Sequence, residues 1–183
     1  IASNNLLHSA LEFDQLIPYF QGIFDNQSQG IKKFEVLARI VRNDEVISPY
    51  AFLDNAKLSG LLPEITRVIV DKSFKIMSGF DYPFSINITE DDLSQNYLLS
   101  FLEEKTKQYN IKPERIILEI LEGVSATGKK NHISQLTELK EQGYLLAIDD
   151  FGTEYSNFER ILELDIDYLK IDAKYIKNID KNE

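Results

Sequence analysis

Two adjacent aspartates, Asp149 and Asp150, end the apolar run of "LLAIDDFGTEYSNF" (145–158), after which the chain breaks into Gly, Thr and Ser. Paired carboxylates could hold a hard cation, but successive strand residues point to opposite faces. Both can reach one ligand only at a frayed strand end, where that alternation stops. The competing role is structural, with Asp150 capping a turn or the helix that carries Tyr155, Phe158, Ile161 and Leu162. What separates the two is whether other chemistry-bearing residues occupy equivalent places.

In "FEVLARI", Glu35, Leu37 and Arg39 share one strand face, while Phe34, Val36, Ala38 and Ile40 share the other. Asn87 breaks an apolar strand end in "FSINIT", and Glu119 does so in "RIILEILEG", with Glu122 three residues on. In "YLKID", Lys170 and Asp172 share a face. Each has an ordinary reading: Glu35 with Arg39 as an ion pair, Asn87 as a turn former, Glu119 as a salt-bridge partner, Lys170 as a solvated edge residue. In a single barrel mouth the sum changes. Two like charges ~4 Å apart repel by about 4 kcal/mol at an effective dielectric of 20, so four gathered carboxylates require cations.

The elements that must position these residues alternate. Strand patterns "YFQGIFD", "KKFEVLARI", "PFSINIT", "RIILEIL", "YLLAIDDF" and "DYLKID" are separated by helical ones. The helical patterns are Ile65, Val68, Ile69 and Ile76 after Pro63; Leu93, Tyr97, Leu98, Phe101 and Leu102; and Ile133, Leu136, Leu139 and Lys140, closed by Gly143. Such alternation predicts an α/β fold with a mostly parallel sheet. The turn-forming "DNQSQG" between the first two strands predicts an antiparallel hairpin. No GxGxxG or GxxxxGK[ST] loop marks an open nucleotide-binding sheet. Polar residues instead fall at the C-terminal ends of many strands, where a TIM-type (β/α) barrel places function. Residues 1–18 read as a connecting helix, with Leu6, Ala10, Phe13 and Ile17 at helical spacing up to Pro18, and residues 19–183 as the barrel domain.

Thirty acidic against 20 basic residues, a net charge of -10, argue against a broad footprint on DNA. The absence of cysteine excludes thiolate metal sites and sits comfortably with a cytoplasmic setting. His8 and His132 are far apart without a partner motif, so any metal site is built from oxygen.

In order and approximate spacing, these stretches resemble the EAL-domain family, the cyclic di-GMP phosphodiesterases of bacterial signalling. "FEVLARI" is similar to the family's signature, with Val36 in the alanine position; "SINIT", "LEILEG", "AIDDFGTEYSNF" and "LKID" are similar to its later motifs. The resemblance implies hydrolysis of cyclic di-GMP to linear pGpG with two Mg²⁺ or Mn²⁺ ions. Glu35, Asn87, Glu119 and Asp149 would hold the first ion, and Asp149 with Asp150 the second. Gln21, Leu37, Arg39 and Asp172 would contact the dinucleotide, Lys170 would position the attacking water, and Glu122 would anchor the loop after the aspartates. It further implies an N-terminal sensory or signalling domain on the same polypeptide, and exposed strand edges suggest a homodimer. Two positions depart from the family: Lys57 where Glu is usual, and Glu154 where the loop has glycine. A full barrel takes roughly 250 residues, so the expected barrel is incomplete in 183 and the natural chain is expected to continue past Glu183. The alternative is a degenerate domain kept as a cyclic di-GMP receptor or interaction module.

Overall fold

The computed structural model describes residues 2–121, 129–151 and 163–171. Glu122, Glu154, Asp172 and the helical pattern of 155–162 lie outside the described residues. Helix α1 (Ala2–Glu12) leads into strand β1 (Leu16–Phe24), β2 (Ile31–Arg42) and β3 (Glu45–Ile47). After a 3₁₀ turn come α2 (Leu53–Leu58), α3 (Leu62–Met77), β4 (Phe84–Ile88), α4 (Glu90–Ser94) and α5 (Leu98–Tyr109). Strand β5 (Ile116–Leu121), α6 (Lys130–Glu141), β6 (Leu145–Phe151) and β7 (Tyr168–Ile171) follow.

Among the described residues the strands form one sheet in the order β1-β2-β4-β5-β6-β7, with β3 paired to the side of β2. The β1–β2 hairpin is antiparallel, as "DNQSQG" predicts, and every pairing from β2 through β4, β5 and β6 to β7 is parallel. β3 escaped the sequence reading because it is only three residues long. It folds back on β2 through Asn43 and Asp44, both at positive φ, the geometry of a two-residue hairpin turn.

Strand parity sorts the sheet into two faces. Val36, Ile40, Phe84, Ile86, Ile88, Leu118, Ile120 and Leu146 point outward into the helical layer, where Ile69, Phe74, Leu93, Leu102 and Leu136 complete the apolar core. Glu35, Ser85, Glu119, Ala147 and Lys170 point the other way. β2 and β7 stand four steps apart in the sheet, roughly 19 Å if it were flat, beyond the combined reach of a lysine and a glutamate. Yet Lys170 Nζ lies 3.3 Å from Glu35 Oε2. The sheet is therefore curled into a barrel wall that the described strands leave open.

Two local expectations are corrected. The first helix ends at Glu12, not at Pro18: Asp14 takes a left-handed conformation (φ 55°), and Ile17 and Pro18 belong to β1. Proline is tolerated there because β1 is at the edge of the sheet among the described residues. Leu7 and Ala10 of this helix are buried in the main core, so it packs as part of the fold. The helical pattern from Leu93 to Leu102 is likewise two helices, broken at Asn96 (φ 55°), whose short polar side chain suits that conformation. Gly143 closes α6 as expected: it sits at φ 103°, and a Cβ there would fall 2.8 Å from the Glu114 side chain.

The break between α4 and α5 is pinned by Asp92, which is fully buried. Its carboxylate accepts bonds from the Thr89 amide (2.8 Å) and hydroxyl (2.8 Å), the Thr66 hydroxyl (3.0 Å) and the Tyr97 hydroxyl (2.6 Å). Burial drives this carboxyl above its ordinary range, against the pull of those donors. Because Thr89 directly follows β4, the cluster fixes where the Asn87 end of that strand points. Replacing Asp92 with Ala strands several buried donors and should destabilise the fold by more than about 3 kcal/mol. Guanidinium unfolding should show a lower midpoint at unchanged m-value.

Candidate active site

Five strands, β2, β4, β5, β6 and β7, supply the inner mouth. Register places Gln21 opposite Glu35 across the hairpin, Glu35 beside Ser85, Asn87 beside Glu119, and Leu121 beside Asp149. Parity then aims Glu35, Asn87, Glu119, Asp149 and Lys170 into the same space. The contacts centre on Lys170: its Nζ lies 3.0 Å from Glu119 Oε2, 3.3 Å from Glu35 Oε2 and 3.8 Å from Asp149 Oδ1. Three carboxylates from three strands thus share one ammonium. Lys170 is no solvated edge residue.

Burial pulls the Lys170 ammonium down, but the charges of Glu119, Glu35 and Asp149 outweigh it and hold the group above its ordinary value. Glu119 is pushed up by burial, only partly offset by Lys170. Its Oε1 and the Ser85 hydroxyl are both buried, and among the described residues neither has a hydrogen-bond partner of good geometry, although Ser85 stands near enough to ease the Glu119 charge slightly. A buried carboxylate oxygen without a partner is costly and marks a place where further positive charge would be welcome.

At the aspartate doublet the backbone leaves strand geometry. Asp150 adopts φ 55°, and the β6–β7 register shifts between Ile148 and Phe151, so the alternation does stop there. The Asp150 amide donates to Asp149 Oδ1 at 2.9 Å. Asn87 and Gln21 are exposed, and Leu37, two residues beyond Glu35 on the same face of β2, is half-buried. Arg39 does not pair with Glu35. Its guanidinium donates to the Ala38 carbonyl at 2.8 Å and lies 6.0 Å from the ring of Tyr19.

The donor set tests well against a divalent cation in chemistry and less well in spacing. All ligand candidates are oxygens, suited to Mg²⁺ or Mn²⁺. Among the described residues, no three acidic or histidine side chains converge closely enough to hold a metal ion. The acids here are spaced around an ammonium, at 3.0 to 3.8 Å from it. Magnesium needs about 2.0–2.1 Å, so the cluster would contract as Lys170 withdrew. In this structure the three acids that converge are partly neutralised by the Lys170 ammonium.

Sequence reasoning missed the layer beneath. Lys33, Ser85 and Tyr168 lie two residues before Glu35, Asn87 and Lys170 respectively, on the same faces. That two-residue offset was the available signal. Lys33 is only 8% exposed, and its Nζ stands 3.9 Å from the centre of the Tyr168 ring. Tyr19, opposite Leu37, was missed at the rim.

The sequence pattern of the EAL domain matches residues 4–183. Among curated relatives, the cyclic di-GMP phosphodiesterase PdeF of Escherichia coli K12 is 31% identical, matched across 100% of this chain and 25% of its own length. The probable cyclic di-GMP phosphodiesterase PdeA of the same organism is 28% identical across 97% of this chain and 25% of its own length. The chain thus spans about a quarter of these relatives. Among solved structures, a MucR phosphodiesterase in complex with c-di-GMP superposes with a TM-score of 0.91 at 24% identity, covering 100% of this chain and 76% of that one. The c-di-GMP-bound EAL domain of FimX from Xanthomonas citri gives 0.85 at 20% identity, covering 100% and 73%. These likenesses show the fold, a TIM-like barrel. With the family pattern running through nearly the whole sequence, the chain belongs to the EAL domain family.

Proposed function

We propose that this chain forms part of a metal-dependent phosphodiesterase that hydrolyses cyclic di-GMP to linear pGpG. The observation that carries the reading is the convergence of Glu35, Glu119 and Asp149, from three strands, on the Lys170 ammonium at the mouth. The curated relatives' names supply the substrate.

Glu35, Asn87, Glu119 and Asp149 would hold one Mg²⁺ or Mn²⁺, and Asp149 with Asp150 a second. When bound, two such ions supply activation of the attacking water and neutralisation of charge on the phosphoryl oxygens. Gln21, Leu37 and Arg39 line the wall next to Glu35, where the Arg39 guanidinium can bind phosphate and Leu37 can pack a base. Once the acids are otherwise neutralised, Lys170 is released to donate a hydrogen bond to the water and orient it. The water oxygen bonds to phosphorus as one P–O3′ bond breaks, and the freed 3′-oxygen takes up a proton. Glu122 and Asp172 are proposed, from motif alone, to anchor the loop and contact the dinucleotide.

Two neighbouring features of this family reading stay with it. The domain is proposed to work on a larger polypeptide, as in the Vibrio cholerae LapD structure described as S helix-GGDEF-EAL. Among the described residues no helix is long and apolar enough to cross a membrane, and a cytoplasmic setting is proposed with the family. A receptor that binds the dinucleotide without turnover is the second reading, favoured by the acids being spaced for an ammonium rather than a metal.

Chelation separates these. For the polypeptide in which this sequence occurs, hydrolysis of cyclic di-GMP with Mg²⁺ or Mn²⁺ should fall at least about 100-fold after exhaustive EDTA treatment, and Ca²⁺ should not restore it. Turnover unchanged by chelation would sink the two-ion reading. Tight binding without turnover under any of these ions would establish the receptor.

Lys170→Met probes the water-orienting role. It should lower kcat by about 100-fold or more while Kd for the dinucleotide stays within about threefold. Equal losses in kcat and affinity would make Lys170 a binding residue instead.

A further inference from the structure

We propose that Lys33 is a built-in counter-ion lying one layer beneath the acidic cluster, which steadies the site when no metal is bound and weakens its grip on divalent cations. The inference rests on the reading of that cluster as a metal site. Lys33 shares the inward face of β2 with Glu35, two residues deeper, roughly 7 Å along the strand. It is nearly buried, and its ammonium lies over the face of Tyr168, itself two residues deeper than Lys170 on β7. The barrel is therefore crossed twice: by Lys170 from β7 to Glu35 in the mouth, and by Lys33 from β2 to Tyr168 in the floor.

A packing role does not account for the residue. Among the described residues Lys33 forms no ion pair within 4.0 Å, and an aromatic face only partly replaces the water that an ammonium loses on burial. Burial accordingly pulls its proton affinity down, while the field of Glu119 and Glu35 opposes that and Lys170 adds to it. What favours a lysine over a methionine at this depth is the cluster above it. Glu35, Glu119 and Asp149 contribute three negative charges, and Lys170 with Lys33 two positive ones, leaving these five groups with a single net negative charge. A divalent cation entering that site meets a fixed positive charge below it that no rearrangement in the mouth removes. Salt screens such an interior charge little.

Calorimetric titration with Mn²⁺ tests this in the polypeptide in which this sequence occurs, comparing the native sequence with Lys33→Met, Lys33→Gln and Lys33→Arg. Both neutral variants should bind Mn²⁺ at least about tenfold more tightly, and Lys33→Arg should stay within about threefold of the native chain. The rise in melting temperature from EDTA to saturating Mn²⁺ should also be larger in the neutral variants. A purely structural lysine would change the melting temperature in EDTA and leave Mn²⁺ affinity alone, and that result overturns the proposal. Two neutral variants are used so that poor folding of one leaves the comparison intact. Asp149→Asn marks the other failure. If Mn²⁺ binding is absent in every chain or indifferent to Asp149, the metal reading itself falls; if Asp149→Asn abolishes binding while Lys33→Met binds like the native chain, only the role of Lys33 falls.

Discussion

The ion pair of Lys170 with Glu35 spans the interior from β7 to β2, four strands away in the described sheet, and the pair with Glu119 ties β5 into the same contact. No backbone hydrogen bond connects β2 to β7, so the curl of the wall depends on what spans its interior. An outer layer of apolar side chains favours curvature without setting its extent. The cross-barrel contacts add to the twist and stagger of the hydrogen-bonded strands, because the acids on β2 and β5 and the lysine on β7 neutralise one another only when the wall is curled enough to bring them together. Charge balance and shape are thus a single constraint in this molecule. Anything that replaces the ammonium, including a divalent cation, must re-space the same three carboxylates.

The two faces of the sheet obey different physics. The outward face is dry, and its apolar residues are specified by size and pattern. The inward face buries Glu119 and Lys33, neither of which would be stable there alone. Its order comes from mutual compensation rather than from exclusion of water. Just past Asn87, at the end of β4, the buried Asp92 cluster plays a related part: a carboxylate is kept in the interior because several donors converge on it. Polar positions at the mouth are therefore held from below and from the side.

Much of this was legible in the sequence because it depends on period. Alternation in "FEVLARI", "RIILEIL" and "YLKID" located the strands, and parity alone put Glu35, Glu119 and Lys170 on the facing walls. The turn residues of "DNQSQG" announced the antiparallel hairpin. Failures came where period says little. The spacing from Leu93 to Leu102 reads through a break that one left-handed Asn creates, and Ile17 continued a helical count into an edge strand. Lys33 was hidden for another reason: a lysine beside a second lysine near a hairpin reads as solvent-facing, and only the closeness of β7 reveals that its end is buried. Contacts between strands far apart in sequence leave no local trace.

The doublet Asp149-Asp150 shows why residue type at this strand end is doubly constrained. Two consecutive side chains can serve one mouth only if the backbone abandons strand geometry, and Asp150 does so at φ 55°. For most residues the left-handed region costs about 1–2 kcal/mol, whereas Asp and Asn enter it more readily because a short polar side chain can bond locally. The Asp149 carboxylate adds support by accepting the Asp150 amide. Aspartate thus combines a carboxylate with tolerance of the conformation found at this position. Glutamate at 150 would keep the charge and lose the conformational fit, while asparagine would keep the fit and lose the charge. Strain, where it occurs in this sheet, is placed at the point where alternation must fail for the site to exist.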